Sequence, residues 1–246
     1  KPSQLLATLA LARVQTDYPM RVGEQQRTVA DLVEHEKLSC RAGDDLSMKL
    51  IGLSHYVDES TWKNHLGEEW SIDRIIRAEI ERPILTAADG GTARLLGLGY
   101  AVARRVRRGQ PVDGQYLRAE KFVGDYQAYA LQVQNADGSW GPRFMAAKGG
   151  SKDAVSQLRS TGHVLQWLAI TLPDDRLDDP QLARAMSYVT GLLGSSRYRY
   201  GVKSYSTREI DAAMRALHAL AVYDQRFFRP TDPEKPVEEV AKRPAK

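Results

Sequence analysis

Apolar residues along this chain recur at three- and four-residue spacing, as in Val29-Leu32-Val33, Ile72-Ile75-Ile76-Ile80 and Met186-Val189-Leu192-Leu193. That spacing marks helices with one buried face. Prolines and glycines fall between such segments, apart from Gly52, Gly97 and Gly99. Alternating β-branched runs and Asn-Gly turns are nearly absent. The pattern predicts an all-α protein.

A second, longer period organises these helices. Leu5-Leu6-Ala7, Leu50-Ile51-Gly52 and Leu95-Leu96-Gly97 lie 45 residues apart, twice. Looser copies are Gly162–Trp167 and the segment 207–222. Ser3, Ser47, Thr92, Thr161 and Thr207 precede or open these copies and are expected to cap them, since a hydroxyl can accept from an unpaired amide at a helix start. Between the copies lie more charged amphipathic segments at about residues 28–38, 72–82, 116–134 and 181–194. Each unit thus reads as an apolar inner helix followed by an amphipathic outer one. The small residues Ala7, Gly52 and Gly97 suit inner helices that approach closely, because a mid-helix glycine otherwise costs ~1 kcal/mol relative to alanine. Two architectures have such a period: an open solenoid of the HEAT or armadillo kind, and an α/α toroid.

Composition narrows the class without naming a function. The chain has 246 residues and one cysteine, Cys40, which excludes a disulfide framework and multi-cysteine metal sites. No run approaches the ~18 apolar residues of a membrane span. The net charge of +4 gives no argument for nucleic acid. The chain opens at Lys1-Pro2-Ser3 without an initiator Met and is expected to be a processed piece of a longer protein, which leaves its compartment open. Residues 1–228 form the expected helical domain. Residues 229–246, with Pro230, Pro233, Pro236 and Pro244 among mixed charges, are expected to be a flexible tail.

The third unit carries Gln134-Asn135-Ala136-Asp137-Gly138-Ser139-Trp140-Gly141. Asp137-Gly138 supplies a tight turn, and Trp140 can bury a large face while its indole N–H finds an acceptor. This string resembles the glutamine–tryptophan repeat of squalene–hopene and oxidosqualene cyclases. The resemblance implies an α/α toroid of repeated helical hairpins, here an incomplete ring, with Gln134, Asp137, Gly138 and Trp140 in a structural clasp. The Asp-x-Asp-Asp acid motif that such a cyclase needs is absent. Asp174-Asp175-Arg176-Leu177-Asp178-Asp179 matches a class I metal motif in letters only. It lies between Pro173 and Pro180 and reads as a loop with Asp179 capping the next helix.

Other polar residues sort by their place in the repeat. Lys49, Arg94 and His163 occupy matching positions just inside inner-helix starts, with Arg208 and Arg159 near the caps. A ring of cations there could face the mouth of a central cavity and bind phosphate, diphosphate or carboxylate, since helix N-termini already favour anions. The alternative is that these side chains extend to solvent. His55, His163 and His218 lie on apolar helices and read first as core histidines. Ser71 is expected to cap the helix at 72–82. Arg104-Arg105-Val106-Arg107-Arg108 ends a helix before Gly109 and complements its dipole, with an acidic partner as the other option. The Arg- and Tyr-rich stretch 195–205 reads as a rim loop.

The functional expectation is a terpenoid-cyclase-like toroid domain without a catalytic motif, acting as a ligand-binding or protein-interaction module. The alternative is an isoprenoid cyclase or prenyltransferase-related enzyme with an apolar cavity. No metal or other cofactor is implied. The partners expected are a small anionic or isoprenoid ligand or another protein.

Overall fold

The structure, a computed structural model, describes residues 2–58, 60–84, 87, 89–195 and 205–228. The tail 229–246 and residues 196–204 of the Arg/Tyr stretch lie outside the described residues. Among those described, nine α-helices dominate, as the three- and four-residue spacing predicts. The chain divides into two compact units, residues 2–83 with 93–123 and residues 84–92 with 124–228 among those described.

The first unit holds α1 (Pro2–Leu11), α2 (Val29–Leu38), α3 (Ser47–Tyr56) and α4 (Ile72–Ile80). It also holds nearly all of α5 (Thr92–Arg107) and the start of α6 (Gly114–Gln132). Gly52 and Gly97 permit close helix approach. A Cβ on Gly52 would lie 2.6 Å from Leu6 Cγ of α1, and one on Gly97 would lie 2.6 Å from the Ser47 carbonyl oxygen of α3. Ile75 and Ile76 of α4, Leu50, Ile51 and Leu53 of α3, and Leu95 and Leu98 of α5 are fully buried.

Two short antiparallel hairpins accompany the helices of an otherwise all-α chain. β1 (Pro19–Val22) pairs with β2 (Gln25–Thr28), Val22 opposite Gln25. β3 (Trp62–Lys63) pairs with β4 (Glu69–Trp70), Trp62 opposite Trp70. The first hairpin lies between α1 and α2 and the second between α3 and α4. Their turns contain Gly23 and Gly67, both at positive φ (61° and 77°), a conformation that favours glycine. Thr28 and Ser71, at the hairpin ends, then cap α2 and α4.

The hydroxyls expected to be caps do something else. Ser3 Oγ donates to Glu36 Oε2 at 2.8 Å, and Ser47 Oγ donates to Glu79 Oε2 at 2.6 Å. Glu36 of α2 and Glu79 of α4 are 1% and 0% exposed. On its other side each carboxylate meets a cation from the next inner helix. Lys49 Nζ lies 2.5 Å from Glu36 Oε2, and Arg94 Nε lies 3.3 Å from Glu79 Oε2. Hydroxyl, carboxylate and cation therefore come from three successive helices, and the arrangement occurs twice. A hydroxyl satisfies a buried carboxylate through a charge-assisted bond, stronger than an ordinary cap. Thr161 departs further, lying in mid-helix, and the cap of the last helix is Ser206 in place of Thr207.

The second unit contains the rest of α6, α7 (Ala154–Thr171), α8 (Pro180–Leu193) and α9 (Thr207–Tyr223). Ala212, Ala216 and Ala219 of α9 are buried, and a Cβ on Gly162 of α7 would meet Ala216 at 3.1 Å. Asp179 caps α8 with Pro180 at its first position, as expected for the acidic loop.

Removing one partner of a buried ion pair leaves an uncompensated charge. Glu79→Ala should therefore lower stability by about 3–5 kcal/mol in urea denaturation. The double variant Glu79→Leu/Arg94→Met, which removes both charges, should recover part of that loss.

Candidate functional site

In the second unit, the residues singled out at 134–140 form a clasp. Asp137 Oδ1 accepts from the Ser139 amide at 3.0 Å and from its hydroxyl at 2.7 Å, closing the turn. Gly138 has φ 92°, and a Cβ there would stand 2.5 Å from the Arg184 backbone of α8. Gln134 Nε2 donates to the carbonyls of Gly138 at 3.0 Å and Gln181 at 2.9 Å, tying the end of α6 to the start of α8. Trp140 is fully buried, and its indole N–H donates to the Ala130 carbonyl at 2.7 Å. Its amide donates to Thr161 Oγ1 at 3.1 Å, which links the turn to α7. Every group here is spent on the protein itself.

The four cations expected at a cavity mouth have internal partners or no charge. Lys49 and Arg94, each 6% exposed, face the buried carboxylates described above. Lys49 Nζ also donates to Ser39 Oγ at 2.6 Å. Arg94 Nη1 donates to the carbonyls of Arg82 at 3.0 Å and Pro83 at 2.7 Å. Arg208 pairs with Asp153 at 2.9 Å on the surface. The structure brings none of them to an open site.

His163 is a core histidine of α7. Burial, with Arg215 adding to it, pushes its pKa down to about 4, so the ring is neutral at pH 7. The Thr92 hydroxyl donates to the Asp89 carbonyl at 3.0 Å and can only accept from His163 Nδ1, 3.3 Å away. Nε2 is then an unprotonated acceptor, buried without a hydrogen-bond partner and 3.7 Å from Asp211 Oδ2. Cys40 is buried too, and desolvation raises its thiol to about 11, far from a nucleophile's range. Among the described residues no group of three His, Cys, Asp or Glu side chains is placed to hold a metal ion.

The open site lies elsewhere in the first unit. A cleft of about 430 Å³ is bounded by the C-terminal ends of α3 and α5 and the N-terminal ends of α4 and α6. Its walls carry Arg104, Arg105, Arg108, Tyr116, Asp58 and Asp73, with hydroxyls from Ser60, Thr61 and Ser71. Two of the arginines are braces. Arg105 Nε donates to the Pro111 carbonyl at 2.6 Å, Nη2 meets Asp113 at 3.2 Å, and the guanidinium covers the Tyr116 ring at 4.2 Å. Arg108 donates to the carbonyls of Val57 at 3.2 Å and His55 at 2.8 Å, closing the end of α3, and pairs with Asp58 at 2.8 Å.

Arg104 has no such anchor. Among the described residues its side chain has no hydrogen-bond or ion-pair partner, and its Nε is buried. The cluster repels its own charges. Burial and then Arg104 pull Arg108 below its ordinary pKa, and burial followed by Arg104, Arg108 and Arg107 brings His55 to about 4. His55 Nδ1 lies 2.6 Å from the Tyr100 hydroxyl.

From the sequence, the run at 104–108 shows only a helix end rich in cations. That Arg104 lines one cleft with Asp58, Thr61 and Asp73 depends on how α3, α4 and α5 pack. No spacing in the chain carries that information.

Trp140→Ala should cost about 3–5 kcal/mol, the range for emptying a buried aromatic site, measured by chemical denaturation. The histidines give a pH signature. Unfolded, His163 takes a proton as pH falls through about 6.5; folded, it does so only near 4. The unfolded chain therefore binds more protons in that window. Its contribution to stability is complete above about 6.5 and is lost toward pH 4, at up to about 1.4 kcal/mol per unit. His163→Gln should flatten this slope in denaturation series at pH 4.5–7.5, leaving the shares of His55 and His218, which burial also lowers.

No protein-family model, curated protein or solved structure matches this chain, so the chemistry of the cleft is read from its own side chains.

Proposed function

We propose that this chain is a binding module, a toroid-type array of helical hairpins that takes a small anion in the cleft of its first unit. One observation carries the reading: Arg104 lines an open cleft with a buried Nε and no partner among the described residues. Its side chain is half-buried and stands beside two further arginines of the lining, Arg105 and Arg108, so the wall of the cleft is cationic. A bound anion offsets that charge. The start of α4, capped by Ser71, lines the same cleft, and its helix dipole favours negative charge.

The terpenoid-cyclase-like architecture remains part of the proposal. It is supported by the repeated inner and outer helices and by the clasp at Gln134–Trp140. The non-catalytic reading draws support from the use of Lys49, Glu36, Arg94 and Glu79 on one another. A cleft walled by arginines, hydroxyls and carboxylates suits a polar ligand better than an isoprenoid chain, which needs an apolar lining.

Inorganic phosphate, titrated at constant ionic strength, should raise the melting temperature of the wild-type chain. A ligand at 100 times its Kd adds about 2.7 kcal/mol of stability. Arg104→Met should abolish the phosphate effect while its ligand-free melting temperature equals or exceeds wild type, because the side chain has no partner among the described residues to lose and its charge is repelled by Arg105 and Arg108. Loss of folding in Arg104→Met, or an unchanged phosphate response, would contradict the proposal.

A further inference from the structure

We infer that the ligand of this cleft is a hydroxylated carboxylate, of the class of a sugar acid; the inference rests on the anion-site reading above. The first step is the number of free positive groups. Arg105 is held by Pro111, Asp113 and Tyr116, and Arg108 by His55, Val57 and Asp58. That leaves one guanidinium, Arg104, among the described cations of the lining. A single planar fork matches a single carboxylate, two N–H groups to two oxygens.

The second step is the acidic side of the cleft. Asp73 lines it without a hydrogen-bond or ion-pair partner among the described residues, and Asp58 lines it as well. A diphosphate that met Arg104 through one group would bring its other charges toward these carboxylates, and like charges at short range disfavour binding. A ligand hydroxyl reverses the sign of that contact, because an ionised carboxylate is an acceptor only and needs a donor.

The remaining lining completes the match. The Ser60 and Thr61 hydroxyls have no partner among the described residues. Ser71 Oγ accepts from the Arg74 amide at 3.1 Å, so its own hydrogen is free to donate. These groups both give and take hydrogen bonds, as the hydroxyls of a sugar ring do. A volume of about 430 Å³ lies within the ordinary range of small-molecule sites. An acid with one charge and several hydroxyls satisfies Arg104, Asp73 and the serines together; neither a bare anion nor a neutral sugar does.

The test is calorimetric titration of the full chain with four probes: D-glucuronate, D-glucose, acetate and pyrophosphate. The expected result is that glucuronate binds at least ten-fold more tightly than each of the others. Arg104→Met and Arg104→Lys should each weaken glucuronate at least ten-fold, the lysine variant because it keeps the charge and loses the fork. Asp73→Asn should narrow the advantage of glucuronate over acetate and improve pyrophosphate. Circular dichroism checks that each variant is folded. If pyrophosphate or acetate binds as tightly as glucuronate, and still depends on Arg104, the sugar-acid inference is overturned while the anion site stands. An Asp73→Asn variant that binds all four probes like wild type also overturns it. If no probe binds, or if binding ignores Arg104 in both variants, the anion-site reading fails as well.

Discussion

The first unit is organised by the need to satisfy two carboxylates that water cannot reach. Glu36 and Glu79 sit on outer helices at 1% and 0% exposure, where an unpaired charge would cost several kcal/mol. Each is met from one side by a serine of the preceding inner helix and from the other by a cation of the following one. Hydrophobic contacts would hold the helices together in many registers, because they are non-directional. A buried carboxylate with a hydroxyl on one side and a cation on the other accepts few arrangements. The clasp therefore specifies which turn of each inner helix stands beside the outer helix between them. The glycines act at the same level. Gly52 lets α3 come against Leu6, and Gly97 lets α5 come against the carbonyl of Ser47, which is the residue that also serves Glu79.

The helices were legible because they are written in residue type and spacing together. Leu50-Ile51-Gly52 and Leu95-Leu96-Gly97 state both the buried face and its close approach. Ser71, Asp179 and Pro180 state helix starts through local chemistry alone, and the structure has helices beginning there. The two hairpins were not legible. Gln25-Gln26-Arg27-Thr28 has no apolar alternation, and β3 and β4 are two residues long, so no periodicity could accumulate. Only Val22-Gly23-Glu24 and Leu66-Gly67-Glu68, 44 residues apart, mark the shared turn. The serines were assigned to caps because a cap needs only neighbours in sequence, whereas their actual partners lie 33 and 32 residues away.

The two units solve the same problem with different groups. In the second, Gln134 stands near the end of an outer helix, as Glu36 and Glu79 do, but it carries no charge. Its amide donates to two carbonyls, Gly138 and Gln181, in place of receiving a cation. The position matching Lys49 and Arg94 is His163, which burial keeps neutral at pH 7. Loss of the acid and loss of the cation go together. A neutral amide needs no counter-ion, and a buried histidine whose partner is a hydroxyl need not be charged. Trp140 takes over the work of joining helices through a large buried face and one indole hydrogen bond, an arrangement less sensitive to pH than an ion pair.

This comparison isolates Arg104. A cation near the end of α5 is explained by the helix dipole while the side chain remains in water. The dipole does not explain why a half-buried guanidinium, with its Nε shut away from solvent, has no counter-ion among the described residues. Elsewhere in the same unit the counter-charge comes from within: Lys49 has Glu36, Arg94 has Glu79, and the partly buried Arg105 and Arg108 have Asp113 and Asp58. Among the described residues these four cations each have a carboxylate, whereas Arg104, at the mouth of a cleft, has none. Asp73 of the same lining also has no partner among the described residues. The two groups have opposite sign and are not paired with each other, and for that reason the ligand proposed above carries an anionic end for Arg104 and a hydrogen-bond donor for Asp73.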